Sequence, residues 1–216
     1  MILFTPIKEE SQRVPHKNFR QFCGRPLYEY VLQKLNCYPI YVDTDSNKII
    51  ENIKTNPDLS HVVAYKRETN LVGHEVSVCS LIESFISRWN IKEPVCQFHV
   101  TSPFIKLNTL LEAHKILKQG YDSVVSCTKH NARFWREEKY GMCPVNHNPT
   151  KLEQTQDLPS MLEENSLFYL FHPEVIMRTG NRIGSNPYFY ETNFPENIDI
   201  DTEEDWSMAQ LLEGQG

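Results

Sequence analysis

The chain lacks several features that identify common classes of protein. It has no CxxC pair, no HExxH pair, no Gly-rich phosphate loop and no apolar stretch that approaches membrane-spanning length. Six cysteines are scattered singly, which is typical of reduced thiols in a cytoplasmic protein and gives no metal-ligand spacing. The apolar start of the chain is interrupted by Pro6 and followed by charged residues, unlike a signal peptide. We therefore expect a cytoplasmic protein without a membrane partner.

Positive charge is also scarce. The 216 residues include 28 Asp and Glu against 22 Lys and Arg, which gives a formal net charge of -6. Because no global positive field would hold a polyanion, nucleic acid is not an expected partner, although a local basic cluster can still bind a small anion. The length and the ordinary globular composition predict a single domain over residues 1–216.

Short apolar runs alternate with helical patterns through the first 127 residues. Strands are predicted at residues 2–7, 38–42, 62–65, 95–100 and 123–127, and helices are predicted to begin near residues 26, 46, 76 and 107. Such alternation favours a mostly parallel sheet with helices on both faces. The predicted fold class is α/β, with three α/β/α layers and a Rossmann-like sheet.

The pattern weakens after Cys127. Residues 129–160 are polar and show no sustained period, so we predict a small excursion from the domain here. A strand at residues 167–171, a short helix, a Gly/Asn/Pro-rich stretch and a last helix beginning near Glu203 complete the prediction. No internal repeat is visible.

The first group of candidate site residues follows the first predicted strand. Ligands of open parallel sheets bind at the carboxyl ends of strands, so a loop at this place is where a binding site is expected. The loop carries Lys8, Ser11, Arg13, Lys17 and Asn18, whose donors and cations suit a polyphosphate. A solvated charged loop explains the same residues slightly better when spacing alone is considered.

The second group is a pair of acids near the C-terminus. Asp199 and Asp201 are two residues apart, so on an extended segment both point to the same side. Two carboxylates together with substrate phosphates suit one Mg²⁺ ion. Asp201 or Thr202 could instead cap the last helix.

Four further residues lie at predicted strand ends. Asp43 and Asp45 end the second strand, Arg67 follows the third, and His99 stands at the end of the fourth. These positions could face a ligand at the same sheet edge. Each also has an ordinary structural explanation as a helix cap, a surface charge or a packed histidine.

Taken in order, these segments resemble the acylneuraminate cytidylyltransferase family, which includes CMP-sialic acid synthetases and is related to CMP-Kdo synthetases. Residues 6–19 are similar to the family's phosphate-binding motif, Pro-Ala-Arg-x-x-Ser-Lys-x-[Ile/Leu]-Pro-x-Lys-Asn. Residues 43–45 are similar to its Ser-Thr-Asp, residues 101–103 to its Pro-Thr-Ser-Pro, and residues 198–202 to its metal motif. Residues 156–159 and 165–169 resemble segments that line its sugar site. The resemblance covers nearly the whole chain.

The resemblance implies an enzyme, a nucleotidyltransferase that moves CMP from CTP to a nine-carbon 2-keto-3-deoxy sugar acid and releases pyrophosphate. It also implies Mg²⁺ as cofactor and a homodimer in which the excursion packs on the partner. The implied nucleotide-binding residues are Lys8, Ser11, Arg13, Lys17, Asn18, Asp43, Asp45 and Arg67. The implied sugar-binding residues are His99, Gln156, Asn165, Phe168 and Tyr169, the implied metal ligands are Asp199 and Asp201, and the implied catalytic residues are Lys17, Arg13 and Asp201.

Departures from the family pattern leave other functions open. Lys8 and Thr155 stand where Arg is usual, His99 replaces a common Gln, and Glu9 and Glu10 add negative charge to the phosphate loop. The alternatives are the same chemistry on Kdo, legionaminic acid or pseudaminic acid, and a noncatalytic relative that binds nucleotide or sugar. A hydrolase that uses a cysteine is the least supported, because no Cys has a recognisable nucleophile context with a partnered His.

Overall fold

The computed structural model describes residues 1–11, 13–73 and 75–214. In chain order its strands are β1 (Ile2–Ile7), β2 (Gln21–Phe22), β3 (Arg25–Pro26), β4 (Ile40–Thr44), β5 (Val62–Lys66), β6 (Val95–Phe98), β7 (Ser123–His130), β8 (Trp135–Glu138), β9 (Gly141–Pro144), β10 (Met161–Phe171) and β11 (Pro187–Glu191). Its α-helices are α1 (Leu27–Lys34), α2 (Asn47–Thr55), α3 (Val78–Trp89), α4 (Leu107–Leu117), α5 (Pro173–Thr179) and α6 (Glu203–Glu213).

One seven-stranded sheet organises the fold, in the order β11-β7-β10-β6-β1-β4-β5. Strand β1 pairs in parallel with β4 and β6, β4 pairs in parallel with β5, and β11 pairs in parallel with β7. Strand β10 runs antiparallel to both of its neighbours. The predicted mostly parallel, Rossmann-like sheet is therefore confirmed.

Successive residues of β1 show how the sheet builds two cores. Leu3 packs into a cluster with α1, α2 and α4, whereas Ile2 and Phe4 pack into a second cluster with α3 and α5. Alternate side chains of a strand point to opposite faces, so one short strand serves both cores. Burial on both faces explains why β1 has a continuous apolar run instead of an alternating pattern.

The strands that the sequence missed are mostly polar or lie at the edge. β10 begins at Met161, six residues before the predicted start, because its first half carries Glu163 and Glu164 on an exposed extension. Ser166, with φ 59°, interrupts its pairing with β7. β11 is an edge strand within the Gly/Asn/Pro-rich stretch, and its Pro187 stands at the first position, where a missing N–H is tolerated.

Smaller differences concern boundaries and caps. The second predicted strand is shifted to Ile40–Thr44, and the predicted loop at residues 8–25 contains the short hairpin β2–β3. Ser46 occupies the N-cap of α2, but its side chain makes no capping hydrogen bond. At α6, Thr202 forms a capping box with Asp205.

The excursion at residues 129–160 extends β7 and adds the separate hairpin β8–β9. Several large apolar side chains on it face solvent, among them Trp135, Met142, Tyr140 at 92% exposure and Leu152 at 91%. No helix in the described residues has the length and apolar character needed to cross a bilayer.

Candidate functional site

A cavity of about 300 Å³ opens at the carboxyl ends of β1 and β6. It is bounded by the loop after β1, by the start of α3 and by the segment that follows β6. Its polar lining includes Lys8, Ser11, Arg13, Lys17, Asn18, His99 and Thr101. The structure thus brings the whole first group of candidate residues, together with His99, to one site.

The loop after β1 is folded back on itself. A short 3-10 turn, Lys17–Phe19, buries Lys17 and Asn18, and the Asn18 side chain donates to the carbonyl of Lys8 at 2.9 Å. Val14 is fully buried and anchors the middle of the loop. The buried Val14 and the Asn18 hydrogen bond give the loop a fixed conformation, which a solvated charged segment would not have.

The two groups of candidate residues meet at Asp201. Arg13 Nη2 lies 2.8 Å from Asp201 Oδ1, and Lys17 Nζ lies 3.4 Å from the same oxygen. Lys17 also donates to the carbonyl of Ile200. These contacts place cations and carboxylate side by side at the edge of the cavity.

The neighbouring acid, Asp199, is held in a different environment. Ile200 is fully buried, and its amide donates to the Thr101 carbonyl at 2.9 Å, which fixes the segment against the loop after β6. Burial raises the pKa of Asp199 above its ordinary value, and the nearby charge of Asp201 raises it further. Asp199 Oδ1 is buried and has no hydrogen-bond partner among the described residues.

This unpartnered oxygen fits a hard cation. The described residues contain no group of three or more His, Cys, Asp or Glu side chains arranged to hold a metal. Two carboxylates are nevertheless enough for Mg²⁺ when phosphates and water complete its shell. The donor set at Asp199 and Asp201 therefore fits Mg²⁺ better than zinc or calcium, which take more protein ligands.

A second cavity, of about 480 Å³, is lined by both aspartates. Asn165 lines it and is held by Thr128 at 3.0 Å and by Thr192 at 2.7 Å. Asp201 contacts Arg13 and Lys17, which line the first cavity, so the two cavities meet at this acid.

Three other residues predicted to bind sugar are placed differently. Phe168 and Tyr169 are buried in the two cores of the sheet. Gln156 is exposed on the excursion, where it bonds to Gln154 at 2.8 Å, and it lines neither of these two cavities. Their contact with a sugar stays a prediction.

Asp43 and Arg67 form a buried ion pair. Their side chains are 2% and 0% exposed, and Arg67 also donates to the Asp43 carbonyl at 3.1 Å. Burial raises the pKa of Asp43 despite the opposing charge of Arg67. The pair therefore links β4 to the end of β5, and its contact with a nucleotide stays a prediction.

Asp45 connects the loop after β1 to β4. It accepts a hydrogen bond from the Glu9 amide at 2.8 Å and so ties the loop after β1 to the end of β4. A groove beside it is lined by Lys8, Glu9, Glu10 and Gly73. Asp45 thus lies next to the main cavity, where a nucleotide could reach it.

Comparisons with known proteins show the family of the chain. The cytidylyltransferase family matches residues 6–214. The chain belongs to the cytidylyltransferase family. This membership confirms the resemblance and the expectation of an enzyme.

The chain is also similar to individual proteins. N-acylneuraminate cytidylyltransferase A of Danio rerio is 31% identical over 209 residues, which cover 93% of this chain and 47% of the relative. The chain thus spans about half the length of that relative and of the trout N-acylneuraminate cytidylyltransferase. CMP-N,N'-diacetyllegionaminic acid synthase of Legionella pneumophila is 28% identical over 221 residues, covering 96% of this chain and 93% of the relative.

The fold has solved counterparts. A CMP-2-keto-3-deoxy-manno-octonic acid synthetase, solved in complex with CTP, superposes with a TM-score of 0.67 at 14% identity, covering 99% of this chain and 98% of the other. At this identity the likeness confirms the α/β fold of the family and carries no residue assignment.

Two residues next to the main cavity were not predicted from the sequence. Gln97 is fully buried on β6 and contacts His99 at 2.9 Å, and Arg182 donates to Gln97. Arg182 lies in the Gly/Asn/Pro-rich stretch, which has no helical or strand period. No pattern in the sequence pairs it with a residue 85 positions away.

Replacing one partner of the buried ion pair should be costly. Asp43→Asn leaves the Arg67 charge buried without a counter-charge, so we expect a loss of about 3–5 kcal/mol in the free energy of unfolding. Denaturant unfolding measures it, with Asp43→Asn/Arg67→Met as the matched variant. The double variant should lose less, and an equal or larger loss would show that the charge is not the cause.

His99 should contribute to acid sensitivity. Burial, followed by the positive charges of Arg182 and Lys17, lowers the pKa of His99 to about 4. The unfolded chain binds this proton at about pH 6.5, so the stability that neutral His99 provides is complete above that value and lost toward about pH 4. Unfolding free energies measured across this range should fall less steeply in His99→Gln than in the wild type. Parallel curves would show that His99 is not the titrating group.

Proposed function

We propose that this chain transfers CMP from CTP to a nine-carbon 2-keto-3-deoxy sugar acid of the sialic acid type and releases pyrophosphate. The observation that carries the proposal is the meeting of Arg13, Lys17 and Asp201 between two cavities. A nucleotidyl transfer needs cations for the triphosphate, carboxylates for a metal and room for an acceptor. The names of the relatives support the choice of CTP and of an acidic sugar.

In the proposed reaction, the oxygen of the sugar's anomeric hydroxyl forms a bond to the α-phosphorus of CTP. The bond from that phosphorus to the oxygen that bridges to the β-phosphorus breaks, and pyrophosphate leaves with the electron pair. Asp199 or Asp201 takes up the hydroxyl proton. Catalysis is then largely positioning and electrostatics.

Cationic side chains supply the electrostatic part. Lys17 is almost completely buried and delivers a point charge, whereas the exposed guanidinium of Arg13 offers a fork of donors to phosphate oxygens. Both now compensate Asp201, so they are already placed at the cavity before any ligand binds. Ser11 and Asn18 complete the polar lining of the phosphate loop.

Mg²⁺ is the proposed cofactor, held by Asp199 and Asp201. When bound, it offsets the negative charge that develops on the phosphate oxygens. The unpartnered Oδ1 of Asp199 supports this assignment, since a buried carboxylate oxygen otherwise lacks compensation.

A homodimer is proposed as the assembly, with the excursion as the contact surface. Exposed Trp135, Tyr140, Met142 and Leu152 give residues 129–160 an apolar surface that solvent exposure alone does not explain. Light scattering of the purified chain measures the assembly, and a monomeric mass would remove this part of the proposal.

The function is tested by pyrophosphate release with Mg²⁺, each of the four NTPs and a panel of nine-carbon and eight-carbon sugar acids. Release with CTP and a sialic acid is the expected result. If only legionaminic acid, pseudaminic acid or Kdo gave release, that sugar would be the acceptor instead. Nucleotide binding without any release would favour a noncatalytic relative, and neither binding nor release would remove the nucleotide site.

Asp201→Asn should lower kcat at least about a hundredfold, because it removes the charge that would hold Mg²⁺ and orient Arg13 and Lys17. Circular dichroism checks that the fold is kept. The matched control is Asp58→Asn, at an exposed aspartate of the turn Pro57–Leu59, which precedes β5, whereas the site lies at the carboxyl ends of the strands. Wild-type turnover in Asp201→Asn would contradict the assignment.

A further inference from the structure

Arg182, Gln97 and His99 form a relay of contacts that ends at the main cavity. Arg182 Nη1 donates to Gln97 Oε1, and Gln97 Nε2 lies 2.9 Å from His99 Nε2. Gln97 is fully buried, whereas His99 is half-buried and lines the cavity. The relay therefore connects a surface segment to a group that can touch a ligand.

The relay fixes which way the Gln97 amide points. A guanidinium has only donors, so the atom of Gln97 that faces Arg182 must be the oxygen. The amide nitrogen then has its two hydrogens for the Phe98 carbonyl, at 3.4 Å, and for His99 Nε2. The opposite amide orientation would set donor against donor at Arg182.

The amide in turn fixes the histidine tautomer. Because Gln97 donates to His99 Nε2, that nitrogen carries a lone pair, and the proton of the neutral ring is on Nδ1. Within the described residues the ring makes no other hydrogen bond. The Nδ1–H donor is therefore free for a ligand in the cavity.

Arg182 contacts Tyr169 as well as Gln97. Its guanidinium carbon lies 3.4 Å from the centre of the Tyr169 ring, and the Tyr169 hydroxyl donates to Glu164 at 2.9 Å. Cation–π contact at this distance restricts the guanidinium to one plane. The relay therefore starts from an anchored cation.

The segment that carries Arg182 is also tied down. The amides of Ser185 and Asn186 donate to the Asp122 carboxylate at 2.8 and 3.0 Å. Gly184 is needed there, because a Cβ at its position would lie 2.3 Å from that carboxylate. Such an anchor makes the position of Arg182 a property of the fold.

We propose that Arg182 and Gln97 are positioning residues that hold His99 as the Nδ1–H tautomer, so that the cavity presents a hydrogen-bond donor selective for an oxygen with a free lone pair. The tautomer follows from the contacts alone. Its use in recognising a carboxylate or hydroxyl oxygen of the acceptor sugar rests on the proposed function.

The tautomer is measured directly by long-range proton–nitrogen correlation spectra of the full chain labelled with ¹⁵N-histidine. The His99 signals are those that disappear in His99→Gln. The wild type should show a protonated Nδ1 and an unprotonated Nε2. A protonated Nε2, alone or with Nδ1, would overturn the proposal.

Gln97→Glu tests the relay, because a carboxylate keeps the pair with Arg182 and has no hydrogen for His99. The His99 pattern should change to a protonated Nε2, whereas Gln119→Glu, the same charge change at an exposed site, should leave it as in the wild type. Arg182→Met, which frees the amide to rotate, should give a mixed pattern. An unchanged pattern in both relay variants would overturn the proposal.

Kinetics test the consequence for recognition. Gln97→Glu should raise KM for the sugar acid about tenfold or more, since it removes a donor to an oxygen, and should change KM for CTP by less than about twofold. A chain that shows the expected tautomer without turnover would contradict the proposed function and leave the relay intact. Turnover with equal changes in both KM values would show that His99 does not select the acceptor.

Discussion

The contact of Asp201 with Arg13 and Lys17 is the interaction on which the site depends. It joins the loop after the first strand to the segment before the last helix, across more than 180 residues of sequence. Ile200, buried between Phe22 and Trp206, holds the acid from one side, and Val14 holds the loop from the other. This contact brings the loop after β1 to the segment that carries the two aspartates.

Local charge decides what an acidic protein can bind. The net charge of -6 would repel a triphosphate at long range, but the cavity itself is lined by Lys8, Arg13 and Lys17. Of the two acids that depart from the family's phosphate loop, Glu9 is directed toward Lys48 at 4.0 Å, whereas Glu10 lines the cavity. Glu10 therefore remains a repulsive charge, which the three cations and the proposed Mg²⁺ would have to offset.

Much of the fold could be predicted because its central strands and helices bury apolar runs with clear periods. Ile2–Ile7 and α3 are examples, since β1 is buried on both faces and one face of α3 packs into a core. The first half of β10 could not be predicted in this way, because Glu163 and Glu164 are exposed and carry no apolar period.

The same distinction applies to the site. Lys17 and Asp201 belong to motifs that are contiguous in sequence, so the resemblance identified them. Arg182 lies between α5 and β11 and contacts Gln97 on β6, and such a contact exists only after the chain has folded. Phe168 and Tyr169 show the reverse case, since a sequence motif marks them while the structure uses them in its cores.

Arg13, Lys17 and Asp201 are proposed to form a triphosphate site. Thermal unfolding with Mg²⁺ and either CTP or cytidine tests this site, because the two ligands differ only in the phosphates. We expect CTP at about a hundred times its Kd to stabilise the chain by about 2.7 kcal/mol, and cytidine at the same concentration to have much less effect. Equal stabilisation by both ligands, or none by CTP, would contradict it.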